Sequence, residues 1–103
     1  MSFQELVDKD RRLVILRVLA ESDKYRTNSS ILKTAIRDLA GHDVGRDIVE
    51  ADLDHLRQHR LVNVETINAP SGGNVVIATL TELGLDVAQG RPHPEVRRPS
   101  PGS

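Results

Sequence analysis

Asp52, His55 and His59 stand at i, i+3 and i+7 of one charged stretch, a spacing that brings a carboxylate and two imidazoles to one side of a helix. Such a trio has the donors for a divalent cation. The thiolates common in helix-borne metal sensors are missing, and two histidines on a charged helix are ordinarily surface residues, so no metal is assigned. A second group is cationic: Lys24, Arg26, Lys33 and Arg37 give residues 23–40 a surplus of two positive charges. Lys33 and Arg37 are four apart and share one helical face. A third group mixes signs, with Arg46, Asp47, Glu50, Asp54 and Arg57 at outward positions of the stretch that also holds the histidines. Catalytic chemistry is not legible. There is no nucleophile elbow and no phosphate-binding loop, and Gly72-Gly73 alone is too weak a signal. No enzyme activity and no cofactor are expected.

Composition narrows the field further. The chain has 103 residues, enough for one domain, and no cysteine, which excludes disulfides, thiolate metal sites and cysteine nucleophiles. Phe3 and Tyr25 are its only aromatic rings besides histidine, so a core must be built from Leu, Ile, Val and Ala. Stacking of unpaired bases on aromatic platforms is excluded for the same reason. No apolar run approaches the ~20 residues of a membrane helix, and Met1 to Asp10 has no signal-peptide core. A cytoplasmic domain is the expectation, with no membrane contact. Net charge is −1, unevenly spread: 41–60 carries more acid than base, and 61–90 contains no Lys or Arg.

Elements can be placed on this pattern. Ser2 and Glu5 form an S-x-x-E capping box for a first helix whose apolar stripe is Leu6, Leu13, Leu16, Leu19 and Ala20. Ser22-Asp23-Lys24 stops it, and Tyr25-Arg26-Thr27 is a short strand. A second helix begins after Asn28 or Ser29, turns Ile31, Leu32, Ala35, Ile36 and Leu39 to the core, and ends at Gly41. A third runs from Gly45 or Arg46 to about Arg60, with Ile48 or Val49, Leu53 and Leu56 inward. Leu61–Ile67 and Asn74–Leu80 are rich in Val, Ile and Thr, and the residues between them are turn formers. Thr81 caps a closing helix through Ala88. The core is expected to centre on Leu13, Leu16, Leu19, Leu32, Ile36, Leu39, Leu53, Leu56, Val62 and Leu80. Residues 91–103 hold four of the five prolines and lack an apolar pattern, so a disordered or extended tail is expected beyond a domain of residues 1–90.

The resulting order is α-(β)-α-α-β-β-α, mainly α with a β-hairpin. The run Val44-Gly45-Arg46-Asp47, Val49, Asp52-Leu53, Leu56 and then Arg60-Leu61-Val62 resembles the third helix and wing entry of winged helix-turn-helix regulators. Ala78-Thr79-Leu80-Thr81, Gly84, Val87-Ala88 and Gly90 resemble the strand-to-helix exit of the same proteins, particularly the ArsR- and MarR-like groups. The layout, with its short Pro/Arg tail, is also similar to small winged-helix proteins of Mu-like phages and prophages. The resemblance covers roughly residues 3–90 and implies a DNA-binding transcriptional regulator acting as a homodimer, with the first or last helix supplying the dimer contact.

On that reading, Lys24, Arg26, Lys33, Arg37, Arg46 and Arg57 are the candidate contacts to double-stranded DNA, because the chain's second helix, the first of the motif, crosses the backbone and its third enters the major groove. Asp47, Glu50 and Asp54 would face phosphates and repel them, although Asp47 and Glu50 also suit the positive end of the helix dipole. The hairpin tip, Ala69 to Asn74, is uncharged, whereas DNA-binding wings commonly carry Arg or Lys there. The competing expectation is therefore a protein-binding winged helix whose acidic face (Asp47, Glu50, Asp54) meets a basic partner. The Arg91, Arg97 and Arg98 tail suits either partner or simple solubility.

Overall fold

The computed structural model describes residues 2–97. Within them the chain forms α1 (Phe3–Glu21), β1 (Arg26–Asn28), α2 (Ser29–Ala40), α3 (Arg46–Gln58), β2 (Val62–Asn68), β3 (Asn74–Leu80) and α4 (Glu82–Ala88), with a 3-10 turn over Asp23–Tyr25. This is a winged helix-turn-helix of the α+β class, in the order expected from the sequence.

Local chemistry sets the boundaries. The Ser2 hydroxyl accepts from the Glu5 N–H, the Asn28 carboxamide from the Ile31 N–H, and the Thr81 hydroxyl from the Gly84 N–H, so three of the four helices begin on a side-chain cap. Gly41 ends α2 at φ +74°, a left-handed position that costs glycine nothing. Two boundaries differ from expectation. Tyr25 has φ +58° and joins the 3-10 turn rather than the strand, which starts at Arg26. α3 stops at Gln58 because Arg60 turns to φ +62°, and the Leu61 N–H then bonds back to the Leu56 carbonyl. That closure directs the chain straight into β2.

The sheet is antiparallel in the order β1-β3-β2. Arg26 pairs with Thr79 at one end, and Asn68 pairs with Asn74 at the hairpin turn at the other. Ile15, Leu16, Leu19, Leu32, Ile36, Val49, Leu53, Leu56 and Leu61 are fully enclosed between the helices and the sheet. Nine of the ten expected core residues are buried; Leu39 is not, at 74% exposed. The buried face of α2 runs Ser29, Leu32, Ile36, and one turn further on Leu39 lines an open groove with Val14 and Val18 of α1. Ile31, one residue from Leu32 and so about 100° round the helix, is also exposed. Leu6 is exposed because it lies in the first turn of α1; residues 7–10 are half-buried, and the first fully buried residue of the helix is Arg11. For α3, Val49 is the enclosed member of the Ile48/Val49 pair.

Gly84 marks the tightest packing. A Cβ there would stand 2.0 Å from the Leu61 carbonyl oxygen, the same oxygen that accepts from the Thr81 N–H. The Thr81 hydroxyl, 2.7 Å from the Arg60 carbonyl, further ties the start of α4 to the start of the wing.

Candidate nucleic-acid interface

α2, the turn 41–45 and α3 make the helix-turn-helix, and the β2–β3 hairpin makes the wing beside it. Arg46 joins the two parts. It opens the first turn of α3, and its Nη2 donates to the Asn74 carbonyl at 2.7 Å, where the wing turns back. Its Nε is 3.9 Å from Glu50, one turn along. The guanidinium thus bridges helix and wing while staying half-exposed, a position from which it can also meet a ligand.

The remaining sequence-nominated cations fall into three groups. Lys33 and Arg37 lie on one face of α2, as expected from their spacing; Arg37 pairs with Asp38 at 3.1 Å on the exposed surface. Arg57 is held by Asp54 through both Nε and Nη2, at 3.1 and 2.7 Å, near the far end of α3 from Arg46. Hydrogen bonds from Arg57 and Gln58 keep the Asp54 carboxyl below its ordinary range. Lys24 and Arg26 sit in and just after the 3-10 turn, and Arg26 lies opposite Thr79, at the end of the sheet away from the wing tip. Among the described residues, Lys24, Arg26 and Lys33 make no ion pair. Lys24 and Tyr25 are consecutive non-glycine residues at positive φ, an uncommon and strained arrangement.

The acidic residues are also on view. Asp47 and Asp54 are exposed and Glu50 half-exposed on α3. The wing adds no charge at its tip. Near that tip it presents Ile67 and Val75, a cross-strand pair that remains 43% and 36% exposed.

The Asp52, His55, His59 trio is not brought together. Asp52 is buried and turned to α1, where the guanidinium of Arg11 takes both its oxygens. Its inward course follows from i, i+1 neighbourhood with Leu53: on α3 the faces of Val49, Asp52, Leu53 and Leu56 form the packed side. His55 and His59 meet a different carboxylate, Glu95. The His55 Nε2 is 2.9 Å from Glu95 Oε2, and the His59 Nε2 is 3.9 Å from Oε1. Glu95 belongs to the Pro-rich segment, whose described part lies against the domain: Val96 is buried, and the Arg97 N–H bonds to the Lys9 carbonyl. The Arg97 side chain reaches Asp10 at 2.8 Å. Arg98 and the rest of the expected tail lie outside the described residues. Sequence reasoning missed Glu95, since nothing in the spacing of a Pro-rich tail says where it returns.

No helix among the described residues is long and apolar enough to cross a membrane. No protein-family model matches the chain. In the solved structures, F93 from STIV, a winged-helix DNA-binding protein, is similar in fold, with a TM-score of 0.56 over 75% of this chain and 77% of that one at 23% identity. An uncharacterized protein of Haemophilus influenzae (strain ATCC 51907 / DSM 11121 / KW20 / Rd) is 39% identical over 85 residues, 82% of this chain and 78% of its own length. The protein gp26 of Escherichia phage Mu, itself uncharacterized, is 40% identical over 98 residues, 94% of this chain and 95% of gp26. With that identity running nearly end to end in both proteins, the chain belongs to the family of phage Mu gp26.

Proposed function

We propose that this chain is a DNA-binding transcriptional regulator of phage or prophage origin, acting in the cytoplasm as a homodimer. The observation that carries the reading is the Arg46 bridge. One guanidinium at the start of the recognition helix also holds the wing beside its turn, so helix and hairpin present a single surface to a duplex. The fold likeness to a winged-helix DNA-binding protein supports the same reading. Lys33 and Arg37 on α2 supply backbone contacts, and Lys24, Arg26 and Arg57 are further candidates. Leu39, Val14 and Val18 along the open α1–α2 groove, with exposed Phe3 and Leu6, offer apolar surface for a second copy.

The test is fluorescence anisotropy of a labelled random duplex at about 50 and about 200 mM salt. A Kd that weakens steeply, with a log–log slope of about −0.9 per phosphate neutralised, is expected. Lys33→Glu with Arg37→Glu should abolish it. Absence of binding at the lower salt, by a folded protein, sinks the proposal.

A second reading is favoured by one specific observation. The outward cations of α3 are matched within their own helix, Arg46 to Glu50 and Arg57 to Asp54, while Asp47 stays exposed and the wing offers the apolar pair Ile67 and Val75. That surface suits a basic protein partner. Asp47→Lys with Glu50→Lys would strengthen duplex binding and weaken such a partner.

A further inference from the structure

The imidazoles of His55 and His59 and the carboxylate of Glu95 converge where the end of α3 meets the C-terminal segment. Their donor atoms all lie within 4.8 Å of one another. His55 lies in the last turn of α3 and His59 is its C-cap residue, bonded through its N–H to the His55 carbonyl at 3.3 Å, so the helix end sets the 4.8 Å between their ring centroids. In a tetrahedral site with bonds of about 2.0–2.1 Å, neighbouring donors stand roughly 3.3 Å apart. The separations of 2.9 Å from His55 to Glu95 Oε2 and 3.9 Å from His59 to Oε1 lie on either side of that value, and the three donors all lie within 4.8 Å of one another.

The surroundings hold these groups in place. Arg12 donates from Nη1 to the Glu95 carbonyl at 3.1 Å and lies 3.5 Å from Oε2, so the backbone and one carboxylate oxygen are held while Oε1 stays turned to His59. Partners of this kind orient a ligating carboxylate. His93 packs edge-on against His59, with ring centroids 5.7 Å apart. Its Nδ1 accepts from the Glu95 N–H at 3.1 Å, which fixes the turn that carries Glu95. His93 is thus committed to positioning and is not counted as a ligand. Asp52 is taken by Arg11 and is not a ligand either.

We propose that His55, His59 and Glu95 form a site for a borderline divalent transition-metal ion of the zinc class, which fastens the C-terminal segment to the end of the recognition helix. Two imidazoles and a carboxylate suit such an ion better than the all-oxygen sets preferred by magnesium or calcium. Water would complete the coordination. His55 and Arg12 now share Oε2 of Glu95, so the ion would be ligated by Oε1, already turned to His59, and would displace to solvent the proton that joins His55 to Oε2, while Arg12 stays on Oε2.

The experiment is isothermal titration of the full chain, purified without a histidine tag, with zinc, alongside hydrogen exchange of the Val96 and Arg97 amides. The wild-type protein is expected to bind one zinc ion per chain, and exchange at both amides to slow. His59→Gln and Glu95→Gln should each weaken binding about tenfold or more. His42→Gln, which alters a histidine paired with Asp10 outside the cluster, should leave binding unchanged. Melts in the absence of metal check that each variant is folded, and His55→Gln stands in for either variant that is not. No zinc binding by the wild type at about 100 micromolar free ion overturns the proposal. So does a folded Glu95→Gln variant that binds like the wild type, or binding that leaves the two amides exchanging as before.

Discussion

The guanidinium of Arg11 on α1 grips the carboxylate of Asp52 on α3 with both arms of its fork, Nε on Oδ2 and Nη2 on Oδ1, the latter at 2.9 Å. Both side chains are nearly enclosed, at 6% and 4% exposure. Nη2 also reaches Asp8 at 3.0 Å, and Arg12 approaches Asp52 from the same helix at 3.8 Å. The pair sets the roll of α3 against α1, with Val49, Leu53 and Leu56 inward and Asp47, Asp54 and Arg57 outward.

Removing one member of a buried pair leaves an uncompensated charge. Asp52→Ala should cost about 3–5 kcal/mol, read as a fall in the urea midpoint at unchanged slope. The double variant Arg11→Met, Asp52→Leu should recover most of that loss, because two apolar side chains carry no desolvation penalty. A single variant as stable as the wild type would rule out a structural role for the pair.

Two leucines separate core from surface. Leu53→Ala should destabilise by about 2–5 kcal/mol, since the residue is fully enclosed. Leu39→Ala should change monomer stability by less than about 0.5 kcal/mol at its exposed position. Thermal melts of both at low concentration check this, and equal losses would contradict the placement of Leu39.

Gly84→Ala drives a methyl group into the Leu61 carbonyl, which cannot withdraw without breaking its bond to the Thr81 N–H. A loss of at least about 1–3 kcal/mol is expected from overpacking. An unchanged midpoint in chemical denaturation would show that the α4–wing junction is looser than described.

Burial on its own would raise the Asp10 carboxyl, but hydrogen bonds from His42 and Arg97 outweigh it and hold the group below its ordinary value of 3.8. A carboxyl lowered on folding contributes stability that is fully present above its unfolded value and is lost as pH falls through the folded one. Asp10→Asn should therefore lower stability near neutral pH, and its difference from the wild type should shrink below about pH 4. Urea midpoints measured from roughly pH 7 to pH 2 test this; a difference constant with pH would exclude the linkage.

Much of the architecture could be read along the chain. The caps at Ser2, Asn28 and Thr81, the stop at Gly41 and the hairpin around Gly72-Gly73 depend on neighbours within a few residues, and spacing exposes them directly. The face of α2 that carries Lys33 and Arg37 is likewise a matter of 3.6-residue periodicity. Tertiary structure decided what that periodicity leaves open. Leu39 and Leu32 have the same chemistry, and only the reach of α1 and α3 determines that one is covered and the other bare. Asp52 and Asp54 differ by two positions on one helix, yet the first is enclosed by Arg11, 41 residues earlier, and the second is held on the surface by Arg57. The carboxylate that meets His55 and His59 comes from Glu95, 40 residues beyond His55. The composition of its Pro-rich segment carries no sign of that return, which depends on Val96 finding an apolar site and Arg12 capturing the Glu95 backbone.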